Sequence, residues 1–143
     1  MKHNRLFLDT NVVLDLLGER EPYYKASAQL ATLSDQGRIT LVVSPITFAT
    51  VNYFLSKSED AETARKKLRK FKIISEICKM DEDIIEKGLN SSFKDLEDSL
   101  QYFCALDANC EIIISRNAKD FKESLLPVMT AEEYIKGLIA EKK

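Results

Sequence analysis

Leu6-Phe7-Leu8-Asp9-Thr10-Asn11 is a short apolar run that ends in a carboxylate, and Val12-Val13-Leu14-Asp15-Leu16-Leu17 follows it at once. The run is too short for a free-standing helix and the next segment is compatible with one, so the pair reads as a buried strand feeding a helix. In open α/β sheets ligands bind just outside the carboxyl ends of the strands. Asp9 is therefore a candidate site residue, with Thr10 and Asn11 beside it. The competing reading is that Asp9 or Thr10 simply caps the helix through its side-chain oxygen.

Outward from that stretch, strand and helix signals alternate. Glu21-Pro22 punctuates the chain, and Tyr23 to Gln36 has helical character, with Ala26, Leu30 and Leu33 on one side and Gly37 suited to the C-cap. Ile39 to Val43 reads as a second strand, and Pro45 fits the first position of a helix running to about Lys57. That helix is apolar over most of its circumference, which predicts burial against several elements or in a dimer contact. Ser58-Glu59-Asp60 opens another helix, Phe71-Lys72-Ile73-Ile74 is a candidate third strand, and Asp81 to Leu89 is a short helix. Phe93-Lys94-Asp95 leads into a helix to about Asn109. Ile112-Ile113-Ile114 is the most strongly strand-like triplet, and Ser115-Arg116-Asn117 ends it much as Asp9-Thr10-Asn11 ends the first run. A weak strand at Val128-Met129 and a helix from Thr130, with Glu133 at capping-box spacing, complete the pattern. It predicts one α/β domain over residues 1–143, a three-layer α/β/α sandwich with a central parallel sheet and right-handed crossovers.

Composition narrows the chemistry. At 143 residues, 45% hydrophobic and 31% charged, the chain matches a soluble globular domain that needs no disulfide or structural metal. No apolar run approaches the roughly 18 residues of a membrane span, so the expectation is a cytoplasmic protein without a membrane segment. Cys78, Cys104 and Cys110 form no Cys-x-x-Cys pair and have only His3 for company, which argues against zinc and against a Ser-His or Cys-His nucleophile. The net charge of −2 argues against a protein that coats nucleic acid by bulk attraction. Arg65, Lys66, Lys67, Arg69, Lys70 and Lys72 nevertheless form a local basic run; taking those six from −2 leaves −8 on the remainder. The run is read as a solvated helix face that also suits the helix dipole, with an RNA-facing patch as the alternative.

Acids recur at predicted strand tips. Asp95, Glu97 and Asp98 fall in the first turn of a helix, with Asp95 and Asp98 on one side continued by Tyr102, and Leu96, Leu100 and Phe103 on the opposite, core-facing side. A capping arrangement around Asp95 would explain the same residues. Asp120 follows the later strand-end signal, where a turn role is the alternative. Oxygen ligands from Asp and Asn suit Mg²⁺ or Mn²⁺, which offset repulsion among clustered carboxylates and serve phosphodiester hydrolysis. Such chemistry needs no His or Cys.

Leu6-Phe7-Leu8-Asp9-Thr10-Asn11, Val43-Ser44-Pro45-Ile46-Thr47, Asp95-Leu96-Glu97-Asp98-Ser99-Leu100-Gln101 and Ile114-Ser115-Arg116-Asn117-Ala118-Lys119-Asp120-Phe121 together resemble a PIN domain over nearly the whole chain. The resemblance is to the bacterial branch that includes VapC-type toxins, and it implies a Mg²⁺- or Mn²⁺-dependent endoribonuclease paired with an antitoxin and usually homodimeric. Asp9 resembles the first metal-binding acid, Asp98 the acid of the later helix, and Asp120 the acid of the Asp-Phe pair; Asn117 stands where many relatives carry Asp. The implied catalytic residues are Asp9, Asp98 and Asp120, joined as metal ligands by Glu97 and Asn117. Thr10, Asn11 and Arg116 are expected to meet the RNA. The chain departs from the family at about Thr50, where the second acid would stand; no Glu or Asp occurs between Asp35 and Glu59. Glu97 or Asp95 is a candidate to compensate, or Asn52 to help hold water. A degenerate module that binds RNA or a protein without cutting is the alternative function.

Overall fold

The computed structural model describes residues 3–141. Among them the strands are β1 (Arg5–Leu8), β2 (Thr40–Val43), β3 (Ser75–Ile77), β4 (Ile112–Ile114) and β5 (Val128–Met129). The helices are α1 (Thr10–Leu17), α2 (Tyr24–Asp35), α3 (Pro45–Ser58), α4 (Ala61–Ile73), α5 (Glu82–Leu89), α6 (Leu96–Asp107) and α7 (Ala131–Glu141). All strand pairings are parallel, in the order β3-β2-β1-β4-β5. The first strand is thus the central one, and the order reverses between β1 and β4.

Strand alternation divides the core into two layers. Leu6, Leu8, Leu41, Val43 and Ile114 pack with residues of α1, α2, α3, α4 and α7. Phe7, Val42 and Ile113 face the other way, onto α5, α6 and Phe121. This is the three-layer α/β/α sandwich expected from the alternation of signals. Close approach in the second layer needs Gly88, where an added Cβ would lie 2.7 Å from Leu100 Cδ2. Gly37, at φ +73, follows the C-cap of α2 and terminates it as expected. The predicted capping box also forms: Thr130 N–H donates to Glu133 Oε1 and Glu133 N–H to Thr130 Oγ1.

The third strand is displaced. Phe71-Lys72-Ile73 stays helical because Ala64, Leu68 and Phe71 recur on one buried face of α4, and that period outweighs the local β propensity. The strand begins at Ser75 and pairs with β2 from Leu41↔Ser75 to Val43↔Ile77. The basic run is consequently on α4, whose last turn leads into the start of β3, at the end of the sheet opposite Asp9. Lys67 is engaged there, donating to Leu17 O at 2.8 Å and to Glu59 Oε2 at 3.0 Å. His3 also lies at that far end, with Nε2 2.8 Å from Thr40 Oγ1. Cys78, Cys104 and Cys110 are buried free thiols. Among the described residues no helix is long and apolar enough to cross a membrane.

Candidate active site

Asp9 sits where β1 ends and α1 begins, at the reversal of strand order where α/β sheets open a ligand crevice. Its N–H bonds to Ile114 O of β4 at 2.9 Å, which fixes its backbone against the neighbouring strand. The side chain is both cap and site residue: Oδ1 accepts from Thr10 N–H at 2.8 Å, while Oδ2 accepts from Ser115 Oγ at 2.8 Å and Asn11 Nδ2 at 3.3 Å. Ser115 Oγ in turn accepts from Asn117 N–H at 3.0 Å, tying the loop after β4 to the same carboxylate.

Helix α6 delivers the second group of acids from the opposite layer. Asp95 is its N-cap, accepting from Glu97 N–H at 2.7 Å and Asp98 N–H at 3.4 Å, so the capping role read from the sequence is real for Asp95. Both Glu97 and Asp98, in the turn that this cap starts, lie within reach of the Asp9 charge, and Asp98 also of the Asp120 charge. Asp95, Asp98 and Asp120 line a cavity of about 340 Å³ together with Lys94, Lys119 and Lys122. Asp120 and Lys119 belong to a short 3-10 turn, Ala118–Phe121, anchored by buried Phe121.

Other expected site residues are arranged differently. The Thr10 hydroxyl points inward, 2.9 Å from Thr47 Oγ1. Arg116 is engaged by buried Asp15, with Nε to Oδ2 at 2.8 Å and Nη2 to Oδ1 at 3.3 Å, and its guanidinium lies 4.0 Å from the Tyr23 ring centroid. Asn117 is exposed on the loop beside Ser115. Tyr102 stands one turn beyond Asp98 on the same side of α6, but that side is covered at its level. It is buried with Phe93, Phe103 and Phe121, while Leu96 is exposed. The residues that reading missed are Ser115, Thr47 and Gln101. For Gln101 the signal was its spacing of three from Asp98 and four from Glu97 on a helix.

Electrostatics favour a cation at this place. Burial raises the Asp9 carboxyl above its ordinary value and the Asp120 charge adds to the rise, against hydrogen bonds from Ser115 and Thr10 and the Arg116 charge. Glu97 is raised by burial and by the charges of Asp95 and Asp9. Asp98 is pushed up to about 7, first by burial and then by Asp95, Asp9, Asp120 and Glu97. Asn11 Oδ1, beside Asp9, is buried without a hydrogen-bond partner. This donor set of carboxylate and amide oxygens fits Mg²⁺ or Mn²⁺, and a divalent cation would relieve the mutual repulsion. Among the described residues no three His, Cys, Asp or Glu side chains form a ready-made cage. The fit is to a hydrated ion using one or two carboxylates, as Mg²⁺ commonly is.

A pH dependence follows for the metal-free protein. The folded-state value of Asp98, about 7, lies above the ordinary 3.8. Its stabilising contribution is therefore complete below about pH 4 and is lost as pH rises through about 7. Thermal melts between about pH 4 and pH 8 should show wild type losing stability relative to Asp98→Asn across this window. A constant difference between the two would contradict the shift.

Comparison with known proteins finds relatives of the whole fold. The PIN domain family profile matches residues 5–119. Ribonuclease VapC1 of Aquifex aeolicus is 33% identical over 139 residues, covering 94% of this chain and 95% of that protein. Among solved structures, VapBC2 from Rickettsia felis, bound to a DNA fragment from their promoter, aligns with a TM-score of 0.66 at 21% identity, over 87% of this chain and 96% of that one. A toxin-antitoxin complex from Klebsiella pneumoniae aligns with a TM-score of 0.66 at 25% identity, over 88% of this chain and 97% of that one.

Proposed function

The chain belongs to the PIN domain family, and on that premise we propose that it is a Mg²⁺- or Mn²⁺-dependent endoribonuclease, the toxin of a toxin-antitoxin pair. The reading rests chiefly on the mutually repelling carboxylates around Asp9 at the reversal of strand order. Asp9 and Asp98 would hold the ion, with Asp120, Glu97 and Asn117 around its hydration shell; when bound, it would supply the Lewis acidity that phosphodiester hydrolysis needs. Ser115 and Thr10 N–H orient the Asp9 carboxylate. Asp95 fixes the first turn of α6, which carries Glu97 and Asp98.

Phosphate contacts fall to the lysines. Lys94, Lys119 and Lys122 rim the cavity that Asp98 and Asp120 line, whereas the Arg116 guanidinium is committed to Asp15 and Tyr23. Charge reversal at Lys119 and Lys122 should raise the KM for RNA by about tenfold and flatten its salt dependence, since two fewer phosphates are neutralised. An unchanged salt slope, measured from about 50 to 200 mM salt, would return these lysines to a solvating role.

The central test is digestion of a mixed RNA pool. Wild type should cut with Mn²⁺ and stop when the ion is chelated, while Asp98→Asn should not cut; equal cutting in every sample would identify a contaminant and end the enzyme reading. Thr50, standing where the second family acid is expected, favours the alternative of a binding module without cleavage. Calorimetric Mn²⁺ uptake that depends on Asp9 separates the two. The antitoxin reading is supported by the relatives' toxin-antitoxin assemblies and by a groove of about 530 Å³ that none of the candidate metal ligands lines, in which Leu16, Leu17, Phe71 and Ile74 are flanked by charged Glu19, Asp35, Lys67 and Lys70. Tyr53 and Phe54, packed edge to face on the exposed side of α3, support pairing of two chains. The setting is cytoplasmic, and the protein acts as a single domain.

A further inference from the structure

Beneath the acids, three helices meet through polar side chains where apolar packing would be the simpler solution. Gln101 is 0% exposed, and its amide Nε2 donates to Thr10 Oγ1 at 3.1 Å and to Thr47 Oγ1 at 3.3 Å. The two hydroxyls lie 2.9 Å apart and bond to each other. Thr10 is the first residue of α1 and follows Asp9; Thr47 lies in the first turn of α3; Gln101 lies one turn beyond Glu97 and Asp98 on α6. Helices α1 and α3 belong to one layer of the sandwich and α6 to the other. Gln101 therefore reaches over the carboxyl ends of the strands and joins the two layers at the place where their acids face each other.

A buried amide is poorly accommodated unless its hydrogen bonds are used, and its geometry is then directional. Both donor hydrogens of Nε2 have acceptors, whereas Oε1 is buried without a partner. An apolar side chain would avoid that unpaired oxygen but could not specify how far α6 stands from α1. We infer that Gln101 is a positioning residue whose amide clamps Thr10 and Thr47 and so holds the Glu97-Asp98 turn at a fixed separation from Asp9. The inference rests on the metal-dependent reading of the Asp9 site. It assigns the distance between the two groups of ligands to neutral residues that touch neither the ion nor the RNA.

The test uses the full chain with Gln101→Met, which keeps the side-chain shape without the amide, and Thr47→Val beside Thr47→Ser. Mn²⁺ affinity is read by calorimetry, kcat and KM on RNA by steady-state cleavage, and the α6 turn by amide hydrogen exchange. Gln101→Met and Thr47→Val should each weaken Mn²⁺ binding and lower kcat by about tenfold, the scale of lost supporting contacts around metal ligands. The KM for RNA should stay within about twofold, a change worth only a few tenths of a kcal/mol, and Thr47→Ser should behave as wild type. A folded Gln101→Met with wild-type Mn²⁺ affinity and kcat overturns the clamp even if its Tm falls, as does a Thr47→Ser that resembles Thr47→Val. Should Gln101→Met fail to fold, the Thr47 pair decides. Should wild type show no Asp9-dependent Mn²⁺ uptake, the metal reading fails separately. Hydrogen exchange then decides the clamp: selectively faster exchange of residues 96–101 in Thr47→Val supports it, and unchanged exchange overturns it.

Discussion

Asp9→Asn is expected to abolish Mn²⁺-dependent cleavage while leaving the fold as stable as wild type or more so. Metal chemistry of this kind contributes several kcal/mol of transition-state stabilisation, and each 1.36 kcal/mol is tenfold in rate, so the loss should be about 10³-fold or greater. Stability should move the other way because the native carboxylate is buried beside Asp120 and its charged form is disfavoured. An asparagine in the same place keeps Oδ1 for Thr10 N–H and turns Nδ2 to the other side, where it can donate to Ser115 Oγ and to the unpartnered Asn11 Oδ1 once that amide turns, all without the charge. Cleavage assays paired with thermal melts check both halves. Activity within tenfold of wild type would remove Asp9 from the chemistry, and a large fall in Tm would recast it as a structural cap.

Arg116→Ala should be the most damaging substitution for the fold among the residues discussed, and for a reason unrelated to RNA. Asp15 is 1% exposed and Arg116 bonds both of its oxygens. Removing the guanidinium leaves a buried carboxylate without its partner, a change that costs about 3–5 kcal/mol and should lower Tm by roughly 10 °C or more. The double variant Asp15→Leu/Arg116→Met should recover much of that loss, because the burial penalty disappears with the charge. If Arg116→Ala melts like wild type and instead raises the KM for RNA, then the phosphate-binding role expected from the sequence is the correct one.

What the sequence made legible was whatever depends on local pattern. The apolar run before Asp9, the Ile112 triplet and the capping-box spacing at Thr130 and Glu133 each carry their information within a few residues, and each element formed. The third strand was misplaced because Phe71-Lys72-Ile73-Ile74 satisfies β propensity, whereas the real strand, Ser75–Ile77, is a half-exposed edge element whose Glu76 gives no such signal. Tertiary contact decided between them: Phe71 packs in the core while Ile73 is 81% exposed. At the site, the acids were visible because so few residue types bind a hard cation. Gln101 and the Asp15-Arg116 pair were not, since their partners lie 91 and 101 residues away and chain order does not reveal such contacts. The burial of Tyr102 and the exposure of Leu96 were not legible for the same reason: nearly every side of α6 between Ser99 and Ala105 is covered, whereas Leu96 in its first turn is open.

The central position of the first strand also governs when the protein becomes competent during its own synthesis. Arg5–Leu8 leaves the ribosome early, but its β4 neighbour is Ile112–Ile114 and the acids opposing Asp9 arrive at residues 97, 98 and 120. A nascent chain short of Asp120 therefore holds only part of the carboxylate cluster, however much of α1 to α4 has already formed. Completion of the cluster waits for Asp120, so products truncated or chains stalled before that residue cannot present the whole of it.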